Sequence, residues 1–238
     1  MTYDVVVIGG GHAGVEAASA SARLGCSTLL VTPDLARVGQ MSCNPAIGGV
    51  AKGVVAREVA ALGGVMGAAT DAARIHFRML NQRKGPAVWG PRAQCDRGLY
   101  PRAVRSRLDG TEGLDLFQDR VRDVVVGGDG VVGVRCESGL ELQAGAVVVT
   151  AGTFLRGRIH VGGSAGVPAG RSGEPASESL ARSLEDAGIE VARFKTGTPP
   201  RIDGRSVDYS RLERQPGESV PFHFDPYERV EPAGELPC

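Results

Sequence analysis

Two short stretches carry residue types and spacings that could do chemistry. The first, Gly9-Gly10-Gly11-His12-Ala13-Gly14, follows the pattern G-x-G-x-x-G. In such a turn Gly9 allows a tight reversal, Gly11 lets the backbone approach a pyrophosphate, and Gly14 lets a helix pack closely on a strand. Free N–H groups at the helix start then face the phosphates, so the chemistry on offer is non-covalent capture of a dinucleotide. The second stretch, Gly39-Gln40-Met41-Ser42-Cys43-Asn44-Pro45-Ala46-Ile47-Gly48-Gly49, sets Cys43 in a polar loop ahead of a helix expected over 50–62. A thiol in that position is favoured as thiolate by the helix macrodipole, which makes Cys43 a candidate nucleophile. The competing reading is a small buried hydrophobe.

The glycine turn needs a strand before it and a helix after it, and the sequence supplies both. Asp4-Val5-Val6-Val7-Ile8 reads as a buried parallel strand. An Ala-rich helix follows over 13–24, closed by Gly25, and Ser27 to Thr32 gives a second strand. An acidic residue commonly ends that second strand and binds the ribose. Here Thr32 stands in its place with Asp34 two residues on, and both are candidate ribose ligands.

Beyond this unit the spacing predicts helices over 70–81 and 94–108, the latter with Pro101 at a turn or kink. From Leu114 the period changes to two. Short strands at 114–117, 121–126, 131–136 and 140–142, separated by Gly127-Gly128-Asp129-Gly130 and Ser138-Gly139, read as an antiparallel meander. Ala146 to Thr150 reads as a parallel strand returning beside the first, which would carry Ala151, Gly152 and Thr153 to the cofactor crevice. A helix over 177–187 closed by Gly188, a strand over 190–194 and a proline-dotted acidic tail complete the chain. A meander followed by an apolar strand ending at Ala-Gly is similar to the second FAD-contact element of flavoproteins with two dinucleotide-binding domains. The expected fold class is therefore α/β: a Rossmann-like FAD-binding domain with a central parallel sheet, an antiparallel β-meander crossover and helical or loop excursions. That domain is expected over 1–160, with a helical excursion at about 40–110 and the meander at about 114–143; a loop-rich extension over 161–238 is expected to pack on it.

Composition narrows the setting. Hydrophobic content of 42% and charged content of 23% are ordinary for a globular protein. No apolar run approaches the ~20 residues of a bilayer span, and the N-terminus enters a strand at once, so a cytoplasmic location without a membrane partner is expected. Net charge is +0, yet the segment Arg74–Arg107 holds nine basic residues against Asp96 alone, a local balance of +8. It could serve an anionic ligand or RNA, or be a solvated face. The cysteines, Cys26, Cys43, Cys95, Cys136 and Cys238, show no zinc spacing and are expected as free thiols, so no metal site is expected.

Five motifs resemble the GidA (MnmG) family in colinear order over essentially the whole chain: Ile8 to Gly14, Gly39 to Gly49, Lys84-Gly85-Pro86-Ala87-Val88, Arg92-Ala93-Gln94-Cys95-Asp96-Arg97 and Lys195 to Ile202. That family comprises FAD-dependent enzymes that modify the wobble uridine of transfer RNA. The resemblance implies FAD on the glycine turn (Gly9, Gly10, Gly11, His12, Ala13, Gly14), on Val121 and on Ser177, with Cys43 as a catalytic thiol. Gly39, Gln40, Met41 and Ser42 join Thr32, Asp34, Ala151, Gly152 and Thr153 as expected cofactor contacts. It also implies NADH as reductant, methylenetetrahydrofolate as carbon donor and a GTPase partner. Trp89 departs from the family's arginine after Gly-Pro-Ala-Val, and the family's proteins extend far beyond residue 238. Weak or indirect transfer RNA binding is therefore expected, with a full-length relative or a second copy of the chain as further partners. Three readings stand: a short flavoprotein with oxidoreductase activity, an FAD-binding module without independent catalysis, and one piece of a split tRNA-modifying enzyme.

Overall fold

A computed structural model describes residues 2–163, 165–218 and 222–237; Cys238 lies outside them. The elements in chain order are β1 (Thr2–Ile8), α1 (His12–Arg23), β2 (Thr28–Thr32), β3 (Ala46–Gly48), α2 (Lys52–Ala61), α3 (Val65–Ala73), β4 (Arg74–Leu80) and β5 (Gly90–Cys95). They continue with α4 (Leu99–Asp109), β6 (Leu114–Gln118), β7 (Val121–Gly127), β8 (Gly130–Cys136), β9 (Glu141–Val149), β10 (Arg158–Ile159), β11 (Val167–Pro168) and α5 (Glu178–Asp186). Two compact units emerge, each built from two stretches of chain: Met1–Gly39 with Arg105–Phe194, and Gln40–Val104 with Lys195–Cys238. The boundary expected near residue 160 falls inside the first unit.

The first unit is a mixed α/β fold around a six-stranded sheet of order β6-β2-β1-β9-β8-β7. β1 pairs parallel with β2 and β9, and β2 pairs parallel with β6. Its β-branched run is the reason β1 is central: Val6 and Val7 are fully buried, each contributing roughly 1.5–3 kcal/mol relative to exposure. α1 turns a stripe of small residues (Gly14, Val15, Ala18, Ser19, Ala22) inward, and these let it lie close to the strands. Gly25, at φ +90°, ends it as expected.

The meander differs from its expected form in two ways. The 114–118 strand is not part of it; β6 extends the parallel sheet on the outer side of β2. The strands expected at 140–142 and 146–150 are one, β9, which pairs antiparallel with β8 over Glu141–Gln143 and parallel with β1 from Gln143 to Val149. Gly145, which separates the two expected runs, lies within β9. Although β6 and β7 are opposite edges of the sheet, only Asp119 and Arg120 connect them, so the sheet curls over a core of Val6, Ile8, Leu29, Val31, Val121, Val134, Leu142 and Leu180. Leu180 comes from α5, which rests on β7 with the Ser183 hydroxyl accepting from the Val124 N–H at 2.9 Å. No strand forms over 190–194: the segment finds no partner strand among the described residues, and Phe194 is 94% exposed.

The second unit centres on a three-stranded antiparallel sheet of order β3-β5-β4, with α2 and α3. Here two helix expectations are corrected. The segment 70–81 is helical only to Ala73 and then becomes β4, because Phe77 and its neighbours pair with β5. Likewise 94–108 begins as the end of β5, and α4 starts at Leu99, with Pro101 in the first turn where no N–H is missed. Asp96 caps that turn, its Oδ1 accepting from the Gly98 and Leu99 N–H groups at 2.7 and 2.8 Å.

The tail covers the open edge of β4, where the Glu218 N–H donates to the Phe77 carbonyl and the Leu236 N–H to the Ile75 carbonyl. Phe222 stacks on Phe77 at 4.7 Å and Phe224 meets both edge-on. Beneath them the fully buried Asp71 carboxylate accepts from the Phe224 and Asp225 N–H groups at 3.0 and 2.9 Å. No helix among the described residues is long and apolar enough to cross a membrane.

Candidate functional site

In the first unit the expected cofactor residues converge at the carboxyl ends of β1, β2 and β9. Gly9 leaves β1 at φ +105°, and a Cβ there would lie 2.7 Å from the Thr150 backbone oxygen. A Cβ on Gly14 would come within 1.8 Å of the Gly9 carbonyl oxygen, so only glycine lets α1 start this close to the strand. Gly11 differs, since a Cβ there would meet nothing within 4 Å. The protein itself makes no demand for glycine at that position; a group lying over the turn would.

α1 begins at His12 with no side-chain cap on Gly11 and no acid in its first turn, so its own side chains do not offset the positive end of the helix dipole there. Burial holds the His12 imidazole below the usual histidine range, so the ring adds no positive charge at neutral pH. Ala13 is exposed beside it.

Thr150 ties the strand ends together. Its hydroxyl donates to the Ile8 carbonyl at 2.7 Å and also lies 3.0 Å from the Gly9 carbonyl, fixing the turn against β9. The glycine pattern alone does not single out this residue, although a threonine closing an apolar strand opposite a glycine turn is a usable signal. Ala151, Gly152 and Thr153 follow in a short helical turn, and the Thr153 hydroxyl donates to the Gly170 carbonyl at 2.9 Å. Ser177 is held at the same turn: its N–H donates to the Phe154 carbonyl at 2.8 Å. Val121 is brought to this end by the curl of the sheet, since the Asp119 N–H donates to the Thr32 carbonyl at 3.1 Å.

Thr32 is buried at the end of β2, close under Gly10. Asp34 caps the following turn through the Ala36 N–H and pairs with Arg37 at 3.0 Å, so its carboxylate is already engaged within the protein. The Gly39 N–H donates to the Gly10 carbonyl at 2.9 Å, which places Gly39 behind the glycine turn.

Gln40, Met41, Ser42 and Cys43 belong to the second unit. β3 intervenes between Cys43 and α2, so Cys43 does not directly precede a helix start and the macrodipole argument lapses. Arginine holds the loop instead. The Arg97 Nη2 donates to the Met41 and Cys43 carbonyls at 2.9 and 2.7 Å, and the Arg201 Nη2 donates to the Cys43 carbonyl at 2.7 Å. Neither arginine stands out as a partner of Cys43 in the sequence, since nothing in the spacing links residues 97 and 201.

Cys43 and Cys26 are partly accessible, whereas Cys95 and Cys136 are buried. Burial pushes the Cys95 thiol up to about 12 and the Cys136 thiol up to about 11. Alkylation at pH 8, read by peptide mass, is expected to label Cys43 and Cys26 and to leave Cys95 and Cys136 unmodified in the folded protein. Labelling of Cys43 no faster than Cys26 or Cys136 would remove the case for a functional thiol.

A family model described as glucose inhibited division protein A matches residues 4–238. The chain is 56% identical over 218 residues to the tRNA uridine 5-carboxymethylaminomethyl modification enzyme MnmG of Salinibacter ruber, covering 91% of this chain and 33% of that protein. It is 48% identical over 230 residues to the MnmG of Christiangramia forsetii, covering 97% of this chain and 37% of that protein. The chain thus spans about a third of the length of these curated relatives. Aquifex aeolicus GidA in its form II crystal matches with a TM-score of 0.92 at 46% identity, over 99% of this chain and 40% of that one. A GidA-related protein of Thermus thermophilus shares the fold at a TM-score of 0.58 and 23% identity, over 79% of this chain and 69% of that one. The Thr150-locked glycine turn, the curled sheet and a match over nearly every residue lead to one assignment: the chain belongs to the glucose-inhibited division protein A family.

Proposed function

We propose that this chain binds FAD non-covalently and provides the flavin-binding part, with the thiol of Cys43, of a system that modifies the wobble uridine of transfer RNA. The observation that carries the proposal is the glycine turn, where Gly11 has open space above it and the first turn of α1 has no cap of its own. A pyrophosphate fits both features, because its anionic oxygens suit the N–H groups at a helix start. Gly9 to Gly14 would hold the phosphates, Thr32 the ribose, and Ala151 to Thr153, Ser177 and the Val121 backbone the remainder of the cofactor. Flavin, when bound, supplies reversible hydride transfer, with NADH as the proposed reductant. Cys43 would act as the nucleophile toward the base.

Further partners in this reading are a GTPase and a full-length relative. RNA affinity of the chain alone would be weak and salt-dependent, since the net charge is +0 and aromatic residues are only 5% of the chain. A second reading, a binding module without turnover, keeps the flavin site and drops the chemistry at Cys43. NADH oxidation by the purified chain would separate the two.

The test of flavin binding is the colour of the purified protein and the identity of what it releases on denaturation. Gly11→Leu is expected to fold normally, its Cβ meeting no protein atom within 4 Å, and to lose most of its flavin. A colourless parent that cannot be reconstituted with FAD would sink the proposal.

A further inference from the structure

The loop that carries Cys43 is held by two positive charges that no carboxylate among the described residues neutralises. Arg97 follows β5 and Arg201 lies in the chain's last third, yet both place Nη2 at 2.7 Å from the same carbonyl oxygen, that of Cys43. The two Nη2 atoms are therefore at most twice that distance apart, and like charges so close repel unless an anion lies between them. The carboxylates nearest in sequence give no relief. Asp96 is taken up by the first turn of α4, where the Leu99 and Gly98 N–H groups hold its carboxyl below the usual range. Asp203 is gripped by Arg205 at 2.6 Å.

Among the described residues neither Arg97 nor Arg201 has a carboxylate partner, and the Nε and Nη1 donors of both are unused. Both side chains are exposed. The carbonyl clamp fixes one edge of each guanidinium and leaves the other donors available, and a pair of fixed forks suits the tetrahedral oxygens of phosphate.

We propose that Arg97 and Arg201 form a phosphate-binding subsite on the Cys43 loop, taking either free phosphate or a backbone phosphate of nucleic acid. The proposal deepens the function given above, because a phosphate anchored there would hold an RNA substrate on the residue that bears the thiol.

Titration of the purified chain with inorganic phosphate, followed by phosphorus-31 line broadening, tests it. The parent is expected to saturate, and Arg97→Gln or Arg201→Gln to raise the dissociation constant roughly tenfold, the loss of one charge-assisted contact. Arg97→Lys keeps the charge but not the fork and is expected to fall between. Arg205→Gln serves as control: its guanidinium is already neutralised by Asp203, so phosphate binding should not change. Circular dichroism of each variant checks the fold. Equal binding by parent and both glutamine variants overturns the subsite, as does an equal loss in Arg205→Gln.

A mixed-sequence oligonucleotide that displaces phosphate at lower concentration identifies the ligand as a nucleic-acid backbone; failure to displace it identifies free phosphate, and either supports the site. A yellow protein without arginine-dependent phosphate binding loses the subsite alone. A colourless protein that retains it loses the flavin reading alone.

Discussion

Gly14→Ala is expected to destabilise the first unit by about 3 kcal/mol, at the upper end of the usual cost of overpacking, and to abolish flavin retention as a consequence. The added methyl would lie 1.8 Å from the Gly9 carbonyl oxygen and 2.7 Å from the Thr150 Oγ1. Neither atom is free to retreat. The Gly9 N–H donates to the Val31 carbonyl at 2.8 Å, and the Thr150 hydroxyl is held by the Ile8 and Gly9 carbonyls. The helix must therefore lift off β1, which uncovers Val15 and Ala18 and moves the amide groups at its start. Urea unfolding with an unchanged slope and a lower midpoint would verify the loss. Gly11→Leu supplies the contrast, with flavin lost and the midpoint kept. Equal midpoints for Gly14→Ala and the parent would show that the turn is not the rigid joint described.

Asp71→Ala is expected to cost about 3–5 kcal/mol in the second unit and to free the tail from β4. Its fully buried carboxylate is the acceptor for two backbone N–H groups, with the Arg74 guanidinium 4.0 Å and the His223 ring 3.9 Å away. Removing it orphans both donors and leaves the nearly buried Arg74 without a counter-charge. Faster hydrogen exchange at the Phe224 and Asp225 amides is the direct readout.

The pH dependence has an unusual sign for a carboxylate. Burial pushes the Asp71 carboxyl above its usual range against the pull of the two N–H groups, Arg74 and His223. A raised value in the folded state means that the proton-linked part of Asp71's contribution is fully present below the ordinary carboxylate value, about 3.9, and is lost as pH rises through the folded one. Mild acid should therefore not release the tail through this group. Accelerated exchange at Phe224 on lowering the pH from 7 to 5 would contradict that.

What was legible in the sequence was local. The β1-α1-β2 unit could be read because a β-branched run, a glycine turn and a small-residue helix each act within a few residues. Misreadings arose where a partner decides. Arg74 to Leu80 alternates Ile75, Phe77 and Met79, a strand pattern masked by interspersed charges, and only β5 settles it. Glu190 to Phe194 has the same kind of composition and pairs with no strand among the described residues. For the candidate site, the glycines announced themselves through spacing, whereas the clamp on Cys43 joins residues about a hundred positions apart. Asp71 gave no signal either, since a carboxylate's burial is set by what folds over it.

The placement of β1 between β2 and β9 also fixes an order of events during synthesis. Ile8 must wait for Val149 to leave the ribosome before its second neighbour exists, roughly 7–30 s at typical elongation rates. Throughout that interval Val5 to Ile8 offers an uncharged, β-branched edge with open backbone groups, the kind that recruits other nascent chains. Expression yield should therefore respond to translation speed and chaperone supply more steeply than the stability of the finished protein would suggest.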